Sequence, residues 1–271
     1  MKYTSKTTVW ITGASSGIGE ALAYRYAELG VSVILSSRKE VELHRVAAQC
    51  RRLSPPMEEP PKFSVISMDM ASEASIVEAW ERVKGLHRKV DILIHNAGIS
   101  QRSLVRHGKM DIDRKVMELN FFGPVFLTRL VLPSLLENGG GHLVAISSIV
   151  GKFGFPLRSA YAASKHAIKG FFESLKAEEY AHKIRVTLVY PGFIRTNISR
   201  NALNEEGVPS GKMDENQKGG MPVEVCARKI VKAIAKEKHE VLVGGKELTM
   251  VYFRRFLPLL HYKLVRRVSP T

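Results

Sequence analysis

Short runs of apolar and β-branched residues alternate along the chain with stretches in which hydrophobic positions recur at helical spacing. Strands buried on both faces of a parallel sheet are short and almost wholly apolar, so the runs predict strands and the stretches between them predict helices. The predicted strands cover residues 7–12, 31–37, 63–70, 91–98, 141–148, 184–192 and 240–245. The predicted helices cover residues 19–30, 39–53, 74–87, 112–137, 160–182 and 224–237.

This alternation predicts an α/β fold. Right-handed crossovers then give a single doubly wound, Rossmann-type domain in residues 1–248, with a seven-stranded parallel sheet and helices on both faces. The proline-rich stretch 54–61 cannot be helical and is expected to be a surface loop. Residues 193–221 are polar and contain glycine, and we expect them to form a mobile lid over the substrate. Residues 249–271 are expected to form a C-terminal helical tail.

Composition narrows the class of protein. The chain has 271 residues, of which 45% are hydrophobic, and a formal net charge of +15. No nucleic-acid motif and no basic patch interleaved with aromatic residues accompanies this charge, so we expect no nucleic-acid partner. No apolar run reaches about 18 residues, and the N-terminus lacks a signal-peptide pattern, so no membrane-spanning helix is predicted. Cys50 and Cys226 have no metal or redox spacing, which favours reduced thiols in a cytoplasmic protein without a metal site.

A glycine-rich turn, "TGASSGIG" at residues 12–19, follows the first predicted strand and opens the first predicted helix. Gly13, Gly17 and Gly19 stand where the backbone must approach another group closely or adopt a positive φ. At this place the N–H groups and the positive dipole end of the helix can hold a phosphate. The turn therefore indicates a dinucleotide site, with a purely structural tight turn as the alternative.

The stretch "YAASK" places Tyr161 four residues before Lys165. On a helix the two side chains share one face, and a nearby cation lowers the pKa of a phenol. Such a pair can serve as a proton donor near neutral pH. Without further context, a packing tyrosine beside a solvated lysine explains the spacing equally well.

Further motifs supply that context. The chain carries, in this order, the glycine turn Thr12–Gly19, Asn96-Ala97-Gly98, Asn120, Ser148, Tyr161 with Lys165, and Pro191-Gly192. Together they resemble the classical short-chain dehydrogenase/reductase family over about residues 7–245. The stretches "SAYAASKHAIKGFFESLKAE" and "YPGFIRTNISRNAL" are similar to its dehydrogenase/reductase member 7 branch. The resemblance implies an oxidoreductase that interconverts a carbonyl and a primary or secondary alcohol with a nicotinamide cofactor.

The resemblance also implies four catalytic residues. Ser148 would donate a hydrogen bond to the substrate oxygen, and Tyr161 would give or take the proton. Lys165 would lower the pKa of the tyrosine and hold the nicotinamide ribose. Asn120 would order a water molecule that relays protons to the lysine. His95 and His166, which lie inside the motifs, are expected to be packing residues.

The end of the second predicted strand indicates which cofactor binds. Ser36, Ser37 and Arg38 stand where an acidic residue would hold the ribose hydroxyls of NAD, and a guanidinium suits a 2′-phosphate. We therefore expect NADP(H) to be preferred over NAD(H), although Ser15 and Ser16 occupy the place where many NADP-binding members carry a basic residue. The predicted cofactor-binding residues are Gly13, Ser15, Ser16, Gly17, Ile18, Gly19, Ser37, Arg38, Asp69, Met70, Asn96, Ala97, Gly98, Tyr161, Lys165, Pro191, Gly192, Ile194 and Thr196.

The substrate is less well defined. Phe153, Phe155 and Leu157 lie between the serine and the tyrosine and are expected to form an apolar wall, which favours a lipophilic steroid, retinoid or acyl substrate. One alternative is a non-catalytic NADP(H)-binding regulatory protein, which would be expected to lack one of the four catalytic residues. A second is an epimerase or dehydratase of the extended relatives, which usually have a different glycine spacing.

Two kinds of further partner are expected. The family commonly forms dimers or tetramers, and Phe121, Phe122, Phe171 and Phe172 could contribute to such an interface or to the core. In the tail, residues 250–268, apolar residues at helical spacing interleave with basic ones, and Pro258 predicts two short helices. This segment either lies in a membrane interface or packs on the catalytic domain. Its apolar residues are Phe253, Phe256, Leu257, Leu260, Leu264 and Val268, and its basic residues are Arg254, Arg255, Lys263, Arg266 and Arg267.

Overall fold

The computed structural model describes residues 3–4, 6–86 and 89–267. Seven parallel strands form one sheet in the order β3-β2-β1-β4-β5-β6-β7, which confirms the predicted doubly wound architecture. The strands are β1 (Thr8–Thr12), β2 (Ser32–Ser37), β3 (Phe63–Ser67), β4 (Ile92–His95), β5 (Gly141–Ile146), β6 (Ile184–Pro191) and β7 (Glu240–Val243).

Helices cover both faces of the sheet. Each begins and ends within a few residues of its predicted bounds where the sequence predicted one. The short helix α7 lies inside residues 193–221, where none was predicted. The helices are α1 (Gly17–Glu28), α2 (Glu40–Leu53), α3 (Glu73–Gly85), α4 (Met110–Met117), α5 (Gly123–Glu137), α6 (Ser159–Glu178), α7 (Glu215–Lys218), α8 (Val223–Ala235), α9 (Thr249–Phe256) and α10 (Pro258–Val265).

The strand side chains alternate between two cores. On β1, Val9 and Ile11 pack with α1, α2 and α8, whereas Trp10 faces α3, α5 and α6. Both faces of the strand are therefore buried, which explains why its sequence is apolar without alternation. Cys50 and Cys226 are buried free thiols, as expected, and burial raises the pKa of each to about 12.

The strand order reverses between β1 and β4. The loops that follow these two strands therefore diverge, and a crevice opens between them at the carboxyl edge of the sheet. Five strands end one to three residues earlier than predicted, and three of these ends lie at the crevice. Strands β3, β4 and β5 stop at Ser67, His95 and Ile146, and the residues that follow them in the predicted runs turn into this crevice. These residues include Asn96, Ala97 and Gly98.

A continuous helix runs from α4 through a π turn (Glu118–Phe122) into α5. Among the described residues, this stretch, Met110–Glu137, is the one helix long and apolar enough to cross a bilayer by length and composition. Leu127, Val131 and Leu135 of this stretch are at most 1% exposed and pack in the core against the sheet. The helix therefore acts here as a core helix.

The tail forms two short helices, as predicted, because Pro258 begins α10 where its missing N–H is not needed. Helix α9 packs against the catalytic domain: Met250 and Val251 contact the cluster that contains Phe153. In α10, His261 is 2% exposed and stacks edge-on against Phe153, with ring centroids 5.0 Å apart. The predicted tail residue Val268 lies outside the described residues.

Candidate active site

The glycine turn leads from β1 into α1 at the crevice. Gly13 and Gly17 have φ values of +66° and +60°, a conformation that glycine adopts without steric cost. Helix α1 begins at Gly17, and the side chain of Ser16 at its N-cap makes no capping hydrogen bond. The first N–H groups of the helix therefore keep their capacity to bind an anion, together with the positive end of the helix dipole.

The side chain of Asn96 holds the backbone of the glycine turn in place. Its Nδ2 donates to the carbonyl oxygens of Thr12 and Gly13 at 3.0 and 3.1 Å. The hydroxyl of Thr12 in turn accepts from the backbone N–H groups of Asn96 and Ala97 at 3.0 and 3.1 Å. A Cβ on Gly19 would lie 2.4 Å from the oxygen of Gly13 and 2.5 Å from the Nδ2 of Asn96. Glycine is therefore required here for the helix to approach the turn.

The ends of β2 and β3 place Arg38 beside Asp69. The Nη1 of Arg38 lies 3.8 Å from the Oδ2 of Asp69, and both side chains remain partly exposed to the cleft. No acidic residue occupies the end of β2, where Ser36 and Ser37 precede the arginine. This arrangement leaves a solvent-accessible guanidinium where the adenosine ribose of a dinucleotide would lie.

Ser148, Tyr161 and Lys165 meet at the opposite end of the cleft. Ser148 follows β5, and its hydroxyl makes a hydrogen bond with Tyr161 that lowers the pKa of the phenol. Lys165 is 4% exposed, and its Nζ donates to the oxygen of Ile146 at 3.0 Å. The same Nζ lies 5.7 Å from the centroid of the Tyr161 ring. Three elements, β5, the loop after it and α6, thus converge on one acid–base group.

Burial dominates the ionisation of this group. Removal from water raises the pKa of Tyr161 above its usual value, and the hydrogen bond from Ser148 and the charges of Arg102 and Arg158 offset only part of this effect. The pKa of the phenol is therefore raised on balance, and the expected lowering of this pKa by Lys165 stays a prediction. Burial also lowers the pKa of Lys165 to about 8, so the ammonium remains mostly charged at pH 7.

Asn120 lies in the π turn, where its side chain is bound on both sides. Its Nδ2 donates to the oxygen of Ile99 at 2.9 Å and to the hydroxyl of Ser164 at 3.0 Å, while its Oδ1 accepts from the N–H of Ile99 at 2.9 Å. Ser164 in turn donates to the oxygen of Tyr161. Asn120 therefore connects the loop after β4 to helix α6, and its water-ordering role stays a prediction.

One cleft of about 550 Å³ collects nearly all the predicted site residues. The exceptions are Gly19 and Asn120, which do not line the cleft. Each packs against residues that do: Gly19 lies against Gly13 and Asn96, and Asn120 is hydrogen-bonded to Ile99. The segment 193–221 contributes Ile194, Thr196 and Leu203 to the lining, and Leu203 exchanges backbone hydrogen bonds with the loop after β4. A volume of this size lies within the range of small-molecule and cofactor sites.

The predicted apolar wall is only partly present. Phe155 lines the cleft, but Phe153 is buried against the tail, and Leu157 lines a separate surface pocket with Leu104 and Val105. Leu157 has a φ of +62°, so the backbone just before α6 is not in a regular extended conformation, and the three side chains do not form one wall. His95 is a packing residue, as expected, with its Nε2 bonded to Thr128 at 2.9 Å.

Four charged residues near the predicted site were not predicted from the sequence. Arg102, Arg158 and Asp214 form a buried ionic cluster beside Tyr161. Glu247 accepts from the N–H of Phe193 at 2.8 Å and thereby holds the backbone after Pro191-Gly192. These residues are distant in sequence and belong to no short motif, so no local pattern could have identified them.

Comparisons with known proteins agree with this geometry. Residues 7–207 match the family model for short chain dehydrogenase. The Drosophila melanogaster dehydrogenase/reductase SDR family protein 7-like is 42% identical over 260 residues, which cover 96% of this chain and 79% of the relative. The Rattus norvegicus dehydrogenase/reductase SDR family member 7B is 40% identical over 264 residues, covering 97% and 81% of the two chains.

Two solved structures are similar to this chain over nearly its whole length. A short-chain dehydrogenase from Sphingobium yanoikuyae in complex with NADPH aligns over 98% of this chain and 97% of its own, with a TM-score of 0.77 and 26% identity. A short-chain dehydrogenase/reductase from Burkholderia phymatum in complex with NAD aligns over 100% and 98% of the chains, with a TM-score of 0.82 and 23% identity. The second similarity is one of fold.

Proposed function

The chain belongs to the short-chain dehydrogenase family and is an oxidoreductase with a nicotinamide cofactor, and we propose that it interconverts a lipophilic carbonyl compound and its alcohol with NADP(H), using Tyr161 as acid and base. The observation that carries this proposal is the convergence of Ser148, Tyr161 and Lys165 in one cleft with the glycine turn. A hydroxyl donor, a protonated phenol and an ammonium are the groups that a carbonyl reduction requires.

The cofactor and the two hydroxyl groups of the site would have separate roles in the reaction. When bound, the nicotinamide supplies or accepts the hydride. In reduction, Ser148 donates a hydrogen bond to the carbonyl oxygen, and Tyr161 transfers its phenolic proton to that oxygen. The raised pKa of Tyr161 keeps the phenol protonated at neutral pH, which suits proton donation. In alcohol oxidation the same oxygen returns the proton to the phenolate.

Lys165 and Arg38 would hold opposite ends of the cofactor. The buried ammonium of Lys165 lies beside Tyr161, where it can bind ribose hydroxyls and restrain the phenol. The exposed guanidinium of Arg38 can pair with a 2′-phosphate once it turns from Asp69. The lack of an acid at the end of β2 supports NADP(H) over NAD(H). The Sphingobium yanoikuyae enzyme in complex with NADPH shows that this fold accommodates the phosphorylated cofactor.

A lipophilic substrate is favoured by the apolar side chains at the catalytic end of the cleft. Ile149, Val150, Phe155 and Leu203 line it near the serine and the tyrosine. The segment 193–221 contributes further apolar lining, so it is proposed to cover the substrate as a lid. A steroid, retinoid or acyl ketone or aldehyde fits this surface better than a small hydrophilic alcohol does.

The test is turnover of a panel of lipophilic and hydrophilic ketones and aldehydes with NADPH, using the full chain and Tyr161→Phe. We expect reduction of lipophilic compounds, and a loss of about 10²–10⁴-fold in kcat in the variant while NADPH still binds, since the phenol is the proton donor. Tyr180→Phe is the matched control, because Tyr180 is 68% exposed and outside the cleft. A Tyr161→Phe rate near that of the wild type would refute the mechanism.

The same experiment separates an enzyme from a non-catalytic NADP(H)-binding regulatory protein. A protein that binds NADPH tightly but turns over no compound in the panel, in either direction, would favour the regulator. The intact serine, tyrosine and lysine support the enzyme, because a binding role alone requires none of the three to meet at one point.

Assembly into a homodimer or homotetramer is proposed through the face of α5, α6 and the π turn. Phe122 is 51% exposed there, and its ring contacts Phe121 with centroids 5.0 Å apart. Phe121 also meets the half-buried Phe171. Phe172, in contrast, is fully buried and belongs to the core. A single monomeric species in sedimentation velocity at micromolar concentration would contradict this assembly.

A further inference from the structure

Three charged side chains are buried together at the catalytic end of the cleft. Arg102 follows β4, Arg158 precedes α6, and Asp214 belongs to the segment 193–221 just before α7. Their side chains are 9%, 8% and 6% exposed. Charges this far from water are costly unless they are paired, so the contacts among them determine whether the surrounding segments stay together.

A single carboxylate joins the two guanidinium groups. The Oδ2 of Asp214 accepts from the Nη2 of Arg158 at 2.8 Å and from the Nη2 of Arg102, while the Nε of Arg102 lies 3.4 Å from the Oδ1. Arg102 also donates to the hydroxyl of Ser100 and the oxygen of Gln101, both at 2.8 Å. The segment 193–221 is thereby fixed through Asp214 to the loop after β4 and to the start of the catalytic helix.

The cluster acts on the catalytic tyrosine through space. Arg158 stands three residues before Tyr161, and its carbonyl accepts the N–H of Ala162 at 2.7 Å in the first turn of α6. Arg102 and Arg158 both line the cleft, and their charges lower the pKa of Tyr161 against the effect of burial. One carboxylate between two guanidinium groups leaves a net positive charge beside the phenol.

We propose that Arg102, Arg158 and Asp214 form an ionic latch, in which Asp214 holds the segment 193–221 closed and keeps both guanidinium groups in the cleft near Tyr161, where their positive charge assists alcohol oxidation. The proposal rests on the proposed function of Tyr161. The three side chains are positioning residues: they act on the phenol and on the closed segment without contacting the reacting atoms.

Other charges around the cleft do not substitute for the latch. Arg38 and Asp69 lie at the ends of β2 and β3, at the part of the cleft assigned to adenosine. Lys165 is on the same helix as Tyr161 and belongs to the catalytic group. The charged side chains that line the cleft are Arg38, Lys39, Asp69, Arg102, Lys115, Arg158 and Lys165. Of these, only Arg102 and Arg158 are bonded to the segment 193–221 through a carboxylate among the described residues.

The electrostatic part is tested by the pH profile of kcat/KM for alcohol oxidation with NADP⁺. This rate requires the phenolate, so it rises with pH as Tyr161 ionises, and the position of this rise along the pH axis is compared between variants. Removing a positive charge raises the midpoint, and we expect Arg158→Met and Arg102→Met to shift it upward by about 1 pH unit. Arg158→Lys keeps the charge and should shift it by much less. Thermal unfolding of each variant identifies any that does not fold.

The latch itself is tested by limited trypsin digestion with the full chain, which does not depend on turnover. Arg200 and Lys212 lie within the held segment. We expect Asp214→Asn to speed cleavage there by about tenfold, since a neutral amide cannot hold two buried guanidinium groups as strongly. Glu215→Gln is the matched control, because Glu215 is exposed and pairs with Lys218 within its own helix.

The outcomes separate the two proposals. Wild-type protein without turnover would refute the proposed function. Active wild type with an unshifted profile in folded Arg158→Met and Arg102→Met would overturn the electrostatic role of the arginines. Cleavage of Asp214→Asn no faster than that of Glu215→Gln would overturn the latch. A shifted profile together with faster cleavage supports both parts of the inference.

Discussion

The two ends of the cleft are held together by different kinds of contact. At the cofactor end, backbone atoms and glycines meet at short distances around the turn that contains Gly13 and Gly19, and Asn96 joins them. At the substrate end, side chains from three distant segments are joined by the charges of Arg102, Arg158 and Asp214. The first end depends on the absence of side chains, and the second depends on their presence.

This difference determines how each end responds to change. A Cβ added to Gly19 would lie 2.4 Å from the oxygen of Gly13, so we expect the cofactor end to tolerate almost no substitution at its glycines. An ionic cluster can open and reform as a unit, which suits a segment that admits substrate. One end is built to stay fixed, and the other is proposed to move.

Gly19→Ala should give the largest effect, because its Cβ would overlap both Gly13 and Asn96. We expect a loss of stability of about 3 kcal/mol, at the upper end of the cost of overpacking, and loss of measurable binding of NADPH and NADH alike. Gly170→Ala is the matched control, since nothing lies within 4 Å of the Cβ it would add in α6. Thermal unfolding and cofactor titration of both variants provide the measurement; near-wild-type binding by Gly19→Ala would contradict the fixed cofactor end.

Arg38→Ala should give an intermediate effect confined to one cofactor. Lost pairing with the 2′-phosphate is expected to cost about 1.5–3 kcal/mol, which weakens NADPH binding by about 10–150-fold and leaves NADH binding nearly unchanged. Arg52→Ala, an exposed arginine at the end of α2, is the control. Titration of each protein with both cofactors measures these affinities. Equal affinity of the wild type for NADPH and NADH would contradict the proposed preference for NADP(H).

Substitutions on the exposed apolar surface of the tail should give the smallest effect. Phe256, Leu257 and Leu259 are 68%, 51% and 79% exposed, with Arg254 and Arg255 nearby in α9. We propose that this surface contacts anionic lipid, since basic side chains near such a membrane each add about 1 kcal/mol. The buried His261 shows that the tail packs on the domain, and the proposed lipid contact would use the side chains that stay exposed.

Co-sedimentation with anionic and neutral vesicles at low salt tests this contact in the full chain. We expect the variant with Leu257→Asp and Leu259→Asp to bind anionic vesicles about threefold to tenfold less than the wild type, because each change replaces apolar contact with a repelled charge. Val41→Asp, at an 82% exposed position on α2, is the control. If wild-type protein stays in the supernatant with both vesicle types, the membrane proposal should be dropped.

The sequence by itself determined the sheet, the order of its elements and the cofactor end of the cleft. Strands such as β1 are buried on both faces and consist mainly of apolar and β-branched residues. Gly13 and Gly19 leave no room for a Cβ, and Gly17 has a positive φ that glycine adopts without steric cost. Ser148, Tyr161 and Lys165 could also be located, because they lie within one βα unit whose spacing is read along the chain. These features are local, so their signals are contained in short windows.

Only the tertiary structure decided the ionisation of the site and the direction of its apolar side chains. Burial of Tyr161 raises its pKa above the value that a neighbouring lysine alone suggested, and the depth of burial depends on every segment packed around it. Phe153 packs against His261 of the tail and does not line the cleft, because the distant helix α10 provides an apolar contact that the sequence around Phe153 does not contain. Arg102 and Asp214 are 112 residues apart and meet only through the fold. Pairs of charged residues so far apart leave no pattern in the sequence. The fold decides which charged side chains are buried together, and burial away from water is what makes their attraction strong.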